Sequence, residues 1–426
     1  MADEKLILPD GTPFQYWEAG CDYTTTYYVS QHHLHASDDN PGTREKPFLT
    51  INHAAQVLQA NERVVVKSGI YREMIEPANG GSDLEHMISY EAAPGEQVIV
   101  KGSRVLETAW EPSLDIHGKP FSLKLWMAAL PGELFSCGAS PFKLPNASAE
   151  DIAIMPWAVD WTDRVPYTLC RGLVFQDGQR LTQLTAYEDL VRLPGSYWVE
   201  PGGDRVHIHP VGGKNPNTSA MEVTVQEHLF KPQVTGLGYI RVKGFIFEHA
   251  GNGLPRTGVG AVYANGGHHW IIEQNTVRHV NSVGIEIGAR TDESVAGRRE
   301  DTERARTSPG CMVARGNTVY DCGTGGIQGL LAIRALVQDN HIHHIGWLDV
   351  EQYWECAGIK LLLNQDTLVS GNLLHDIEAA SGIWLDFANR NSRVTGNVLA
   401  NISNIAGASG ALYIEASRVP NLVDHN

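Results

Sequence analysis

Residues 368–402 read LVSGNLLHDIEAASGIWLDFANRNSRVTGNVLANI. Two asparagines, Asn372 and Asn397, each stand three places after a valine, Val369 and Val394. Each is followed two and five places on by an apolar pair, Leu374/Ile377 and Leu399/Ile402. Between them lies a third apolar alternation, Ile383-Trp384-Leu385. Three short strand-like stretches separated by turns make one triangular coil of a parallel β-helix. The pattern recurs at Asn275, Asn317, Asn340 and, at the chain's last residue, Asn426. Upstream partners are Ile272, Ala314, Val337 and Val423, and downstream pairs are Val277/Val280, Val319/Cys322 and Ile342/Ile345. Repetition of this kind marks stacked units, each needing its neighbours to bury its apolar face. The asparagines are expected to form a ladder at a turn, where Asn tolerates left-handed backbone. The competing reading is an ordinary β-sandwich with chance asparagine spacing.

The same plan extends towards the N-terminus. Tyr27-Tyr28-Val29, Val64-Val65-Val66, Ile88-Ser89-Tyr90 and Val98-Ile99-Val100 read as strands. Residues 47–59 place Ile51, Ala54, Ala55 and Leu58 at helical spacing, and such a helix could cover the open edge of the first coils. Residues 108–230 break the rhythm and hold Trp110, Trp126, Trp157, Trp161 and Trp198, five of the ten tryptophans. The expected organisation is an all-β, right-handed parallel β-helix with an inserted β-sandwich-like domain. Residues 1–107 form the N-terminal cap and first coils, 108–230 the insertion, and 231–426 the main coils, with further C-terminal coils expected beyond the chain. Residues 291–308 are rich in Arg, Asp and Glu and read as a solvated loop.

Composition narrows the function. A net charge of −16 argues against a nucleic-acid partner, which needs a basic surface. No apolar run approaches the length of a membrane span, and the first residues are not a signal peptide, so a cytoplasmic location and no membrane partner are expected. The six cysteines contain no CxxC pair and read as free thiols, not as a zinc site or disulfide scaffold. Two histidine groups, His32/His33/His35 and His341/His343/His344, lack a recognised metal spacing and read as turn and surface residues. No metal site is assigned.

The third strands of the coils carry the chemistry. Aligned on Ile285, Ile327, Ile359, Ile383 and Leu412, their inward neighbours two places on are Ile287, Gly329, Leu361, Leu385 and Ile414. The period of two sends the residues between outward: Glu286, Gln328, Lys360, Trp384 and Tyr413. The next outward column is Gly288, Leu330, Leu362, Asp386 and Glu415. Asp386 and Glu415 therefore share one position on adjacent coils, about 4.8 Å apart. Retaining glycosidases hold their carboxyl groups about 5–5.5 Å apart, inverting ones about 6.5–9.5 Å. Stacked acids repel, so one is expected to keep its proton, as a nucleophile and acid pair requires. Trp384 and Tyr413 offer flat faces to a sugar ring. Loops 346–356, with Trp347, Trp354 and Glu355, and 403–410 are expected to rim the site. The bland reading is two solvated surface carboxylates. Being outward, both acids are expected to tolerate substitution at little cost to packing.

At these residues the chain resembles the glycoside hydrolase family 120 β-xylosidases, over nearly its whole length. The matching stretches are KPFLTIN (46–52), GIYRE (69–73), VKGF (242–245), WIIE (270–273), TVYDCG (318–323), AGIKL (357–361), WLD (384–386) and LVDHN (422–426). The resemblance implies a β-helix interrupted by a β-sandwich. It implies a retaining exo-glycosidase acting on β-xylosides such as xylan fragments, with Asp386 as nucleophile and Glu415 as acid/base. It also implies sugar-binding roles for Glu355 and for a tryptophan of the insertion, Trp161 or else Trp157. Lys360, Trp384, Tyr413 and Trp354 complete the expected substrate-binding set. No cofactor is required, a structural Ca²⁺ is compatible with the reading, and a homo-oligomer is left open. The stacking argument is symmetric, and only the resemblance assigns the two roles. A polysaccharide lyase using Lys360 as base, and a non-catalytic carbohydrate-binding β-helix, are the alternatives on the same fold.

Overall fold

The computed structural model describes residues 6–114, 119, 125–135, 138–147, 169–254, 258–288, 310–348, 356–403, 410–417 and 419–426. The described residues fall into two compact units. One comprises residues 1–101, 228–248 and 255–426, the other residues 102–227 and 249–254.

The first unit is a parallel β-helix. Among the described residues its strands form three sheets, of ten, eight and six strands, and consecutive coils pair in parallel throughout. One coil supplies Leu368–Ser370 to the ten-stranded sheet, Leu373–Glu378 to the eight-stranded sheet and Ser381–Leu385 to the six-stranded sheet. The predicted interior stack is observed. Ile285, Ile327, Ile359 and Ile383 are paired in register and fully buried. Because each strand is buried on its inner face against the other two sheets, this column of branched side chains packs the axis of the coil. Leu412, the next member of the stack, is half-buried, and Ile414, two places on and expected to face inward, is 41% exposed.

The asparagine ladder forms, with one correction to its geometry. Asn372 donates its amide to the carbonyl of Val337 at 3.0 Å and to Oδ1 of Asn397 at 2.8 Å. Its own Oδ1 accepts from the backbone N–H and the Nδ2 of Asn340. The same links run from Asn275 through Asn317 to Asn340, and from Asn397 to Asn426. The left-handed residue is not the asparagine but the one before it: Gln274, Gly316, Asp339, Gly371, Gly396 and His425 have φ between 50° and 66°. The preceding residue takes the chain reversal, which frees the asparagine to turn its amide inward along the stack.

The N-terminal helix forms at Ile51–Val57, capped by the Thr50 hydroxyl, which accepts from the His53 N–H. Its first free N–H groups, those of Ile51 and Asn52, donate to the Glu73 carboxylate at 3.0 and 2.7 Å. Ile51, Ala54, Ala55 and Leu58 are fully buried, as their spacing predicts.

The second unit is a two-sheet structure. Ser103–Val105, Val174–Gln176, Gln179–Arg180 and Met221–Thr224 form an antiparallel sheet. Glu111–Pro112, Trp126–Ala129, Thr182–Gln183, Ser196–Val199 and Arg205–His209 form the other. Val174, Met221 and Val223 of the first share one apolar core with Ala128, Tyr197, Val206 and Ile208 of the second. The unit starts at residue 102 rather than 108, because Ser103–Val105 already pairs with Met221–Thr224. The stretch 291–308 lies outside the described residues. The described cysteines, Cys21, Cys170, Cys311, Cys322 and Cys356, are free thiols, and no described helix is long and apolar enough to cross a membrane.

Candidate active site

Three neighbouring strands of the six-stranded sheet, Ala357–Leu362, Ser381–Leu385 and Leu412–Ile414, carry the candidate site. Each alternates an inward aliphatic residue with an outward functional one, which follows from the period of two. The outward column is observed link by link: Glu286 opposite Gln328, Gln328 opposite Lys360, Lys360 opposite Trp384, and Trp384 opposite Tyr413. The next column places Asp386 and Glu415 immediately past the paired residues Leu385 and Ile414. The Asp386 N–H donates to the Leu361 carbonyl at 2.8 Å, and the Glu415 N–H to the Leu385 carbonyl at 2.9 Å. Parallel pairing therefore continues one step beyond the strands and sets the two acids side by side.

The environment of Asp386 corrects the idea of a freely solvated carboxylate. Asp386, Lys360 and Trp384 are only 4%, 6% and 6% exposed, while Glu415 is half-buried. One Asp386 oxygen meets the Lys360 ammonium at 3.1 Å, and the other accepts from the Phe387 N–H. The same ammonium lies 4.3 Å from the centre of the Trp384 ring, a cation–π contact. Trp384 and Tyr413 have ring centres 5.2 Å apart, tilted by 45°. The indole N–H of Trp384 is buried and has no hydrogen-bond partner among the described residues.

Asn364 and Asn389 hold the turn that carries Asp386, and sequence reasoning passed over both. They are fully buried, like the main ladder. Asn389 donates to the carbonyls of Leu361, at 2.8 Å, and of Asp386, and its Oδ1 accepts from the Asn364 N–H at 3.1 Å. The signal, an asparagine shortly after each of the last three third strands (Asn364, Asn389 and Asn421), was present in the sequence. A one-residue shift disguised it. The left-handed position follows Leu361 by two residues, at Leu363, but follows Leu385 by three, at Ala388. That extra residue lies in the Asp386 turn.

Glu286, two coils from Lys360 in the same column, is fully occupied elsewhere. Its carboxylate accepts from the N–H groups of Gly258, Val259 and Gly260 at 2.7, 2.7 and 2.9 Å. Burial pushes its pKa up to about 7 despite those three donors. Glu355, Trp354, Trp161 and Trp157 lie outside the described residues, as do 349–355 and 404–409 of the two rim loops. Among the described residues no group of three or more His, Cys, Asp or Glu is placed to hold a metal ion.

Comparison with known proteins agrees with this architecture. Residues 260–426 match the family model of the right-handed β-helix region, which gives the handedness of the coil. The solved structure of XylC in complex with xylose superposes with a TM-score of 0.75 at 28% identity, covering 94% of this chain and 65% of that one. The resemblance to the family 120 β-xylosidases drawn from the sequence is thereby borne out. A GH136 lacto-N-biosidase from Eubacterium ramulus gives a TM-score of 0.48 at 13% identity, covering 92% of this chain and 59% of that one. The uncharacterised protein YwoF of Bacillus subtilis (strain 168) is 34% identical over 93 residues, 22% of this chain and 19% of its own. The chain thus spans 65% of the XylC structure and a smaller part of YwoF.

Proposed function

We propose that this chain is a retaining exo-glycosidase that cleaves β-xylosides, with Asp386 as nucleophile and Glu415 as acid/base. The carrying observation is the ladder register that sets Asp386 and Glu415 opposite each other on neighbouring coils. A strand spacing of about 4.8 Å suits the roughly 5–5.5 Å of a retaining pair better than the roughly 6.5–9.5 Å of an inverting one. Asp386 attacks the anomeric carbon while Glu415 protonates the departing oxygen. Glu415 then takes a proton from the water that breaks the glycosyl-enzyme. The surroundings separate the roles in the same sense as the family resemblance. Lys360 compensates a negative charge on Asp386, and Glu415 sits in the more open position. The Trp384 and Tyr413 rings face the apolar side of a pyranose, and the unpaired Trp384 N–H donates to a hydroxyl. Glu355, Trp354 and Trp161 are assigned to sugar binding by resemblance alone. The reaction uses only side chains and water.

The lyase alternative asks Lys360 to act as a base. Its ammonium is committed to Asp386 at 3.1 Å, so proton abstraction would first have to break that pair. A screen of nitrophenyl glycosides, with the first-formed anomer followed by NMR, tests the proposal. Turnover of the β-xyloside with β-xylose appearing first is expected. An unsaturated, ultraviolet-absorbing product from an anionic polysaccharide would establish the lyase instead, and α-xylose appearing first would reject retention.

A further inference from the structure

The eight-stranded sheet carries histidines on its outer face that the glycosidase reading does not use. On His341–Ile345 the buried Ile342 points inward, so His341 and His343 point out. His375, on the next coil, is in register with His343. The rings of His343 and His375 stack 5.0 Å apart and 4° from parallel, and Tyr320 stacks on the other side of His343 at 4.8 Å. These rings are partly exposed and open to solvent.

The decisive contact is between the ε-nitrogens of His341 and His375, which lie 2.7 Å apart. His375 is already set for a ligand. Its Nδ1 bonds Asp376 Oδ2 at 2.7 Å, and Asp376 is held in turn by the Asn401 amide at 2.9 Å. A carboxylate on Nδ1 favours the proton there, the arrangement that orients metal-ligating histidines, so Nε2 of His375 accepts from the Nε2–H of His341, and a cation between the two nitrogens would take the place of that proton as His341 moves it to Nδ1. Two imidazoles on one cation, each at about 2.0–2.1 Å, stand roughly 3.0–3.4 Å apart. The observed pair needs to open by only a fraction of an ångström. Sequence spacing hid the pair, because its members sit 34 residues apart on different coils.

We infer that this face binds one divalent transition cation of the zinc, nickel and copper class through Nε2 of His341 and His375, with water filling the remaining positions. Imidazole favours that class over Ca²⁺ or Mg²⁺. The cation would tie two adjacent coils together from outside. The test is calorimetric titration of the chelator-treated chain with Zn²⁺, paired with thermal unfolding. One saturable site and a raised unfolding temperature are expected, and Ca²⁺ should produce neither. His341→Ala and His375→Ala should abolish that site. Asp376→Asn should weaken it by about 10–100-fold, and His344→Ala should leave it intact. Undiminished zinc binding by His375→Ala, or no saturable binding by the wild type, would overturn the inference. Should the variants misfold, imidazole nitrogen spectra of the wild type decide. Zinc must shift Nε2 of both His341 and His375, and unchanged resonances would refute the site.

Discussion

Asp386 is held by Lys360 in a place where neither is solvated, and this changes what its removal does. Asp386→Ala removes a buried counter-charge that meets the Lys360 ammonium at 3.1 Å, and breaking a buried ion pair from one side destabilises the fold. Asp386→Ala is therefore expected to lose both turnover and stability, contrary to the tolerance its outward position suggests. The double variant Asp386→Ala/Lys360→Met should recover most of the stability and none of the activity. Urea unfolding of the three proteins checks this, and equal stability of the single variant and the wild type would show the pair to be dispensable. Glu415 is half-buried, and its replacement separates function from folding more cleanly. Glu415→Ala should fold as the wild type does, lose orders of magnitude of turnover on xylobiose, and retain more on an aryl glycoside whose leaving group needs no proton. Added azide should raise its rate and give a β-configured product. Equal losses on both substrates would remove Glu415 from the acid/base role.

At the scale of the element, the ladders and turns set where side chains point. Asn372 serves the Val337 carbonyl, the Asn340 N–H and two neighbouring amides at once. Asn372→Ala leaves those buried groups unpaired, at about 1–3 kcal/mol for each group that finds no water. Asn426 is exposed where Asn372 is buried, and its replacement should cost visibly less. Denaturant midpoints for the two variants measure the difference, and a reversed order would contradict the ladder's role. The Glu286 turn gives a pH signature. Its folded pKa of about 7 lies above the ordinary 4.5. Between those values the folded chain holds a proton that the unfolded chain has released, so this group's contribution falls as pH rises. It is complete below 4.5 and lost above about 7. Glu286→Gln has no such slope, and its unfolding temperature should gain on the wild type as pH rises through that window. Parallel curves for the two proteins would show that Glu286 does not titrate there. The element is also where sequence reading reached its limit. Period-two alternation gave the columns to the residue, since it depends only on which side chains are apolar. The left-handed positions went to the wrong residue, and Asn364 and Asn389 were overlooked, because turn geometry depends on the hydrogen bonds each coil receives from the next.

Across the whole molecule, the β-helix was legible because a solenoid repeats one local solution, and repetition shows in a single sequence. The boundary of the second unit was less so. Ser103–Val105 reads as one more short strand, and only its pairing with Met221–Thr224 assigns it to that unit. The stacked acids followed from arithmetic, but the burial of Asp386 and its pairing with Lys360 did not, since those depend on how side chains close over one another. The claim that ties these scales together is that the Asp386–Glu415 pair works through a covalent glycosyl-enzyme. Intact-mass spectrometry of the chain treated with an activated 2-deoxy-2-fluoro-β-xyloside tests it most directly. A single added fluoroxylosyl group, mapped to the peptide carrying Asp386 and absent from Asp386→Asn, is the predicted result. An unmodified chain that still turns over xylosides, or a label on Glu415, would contradict it.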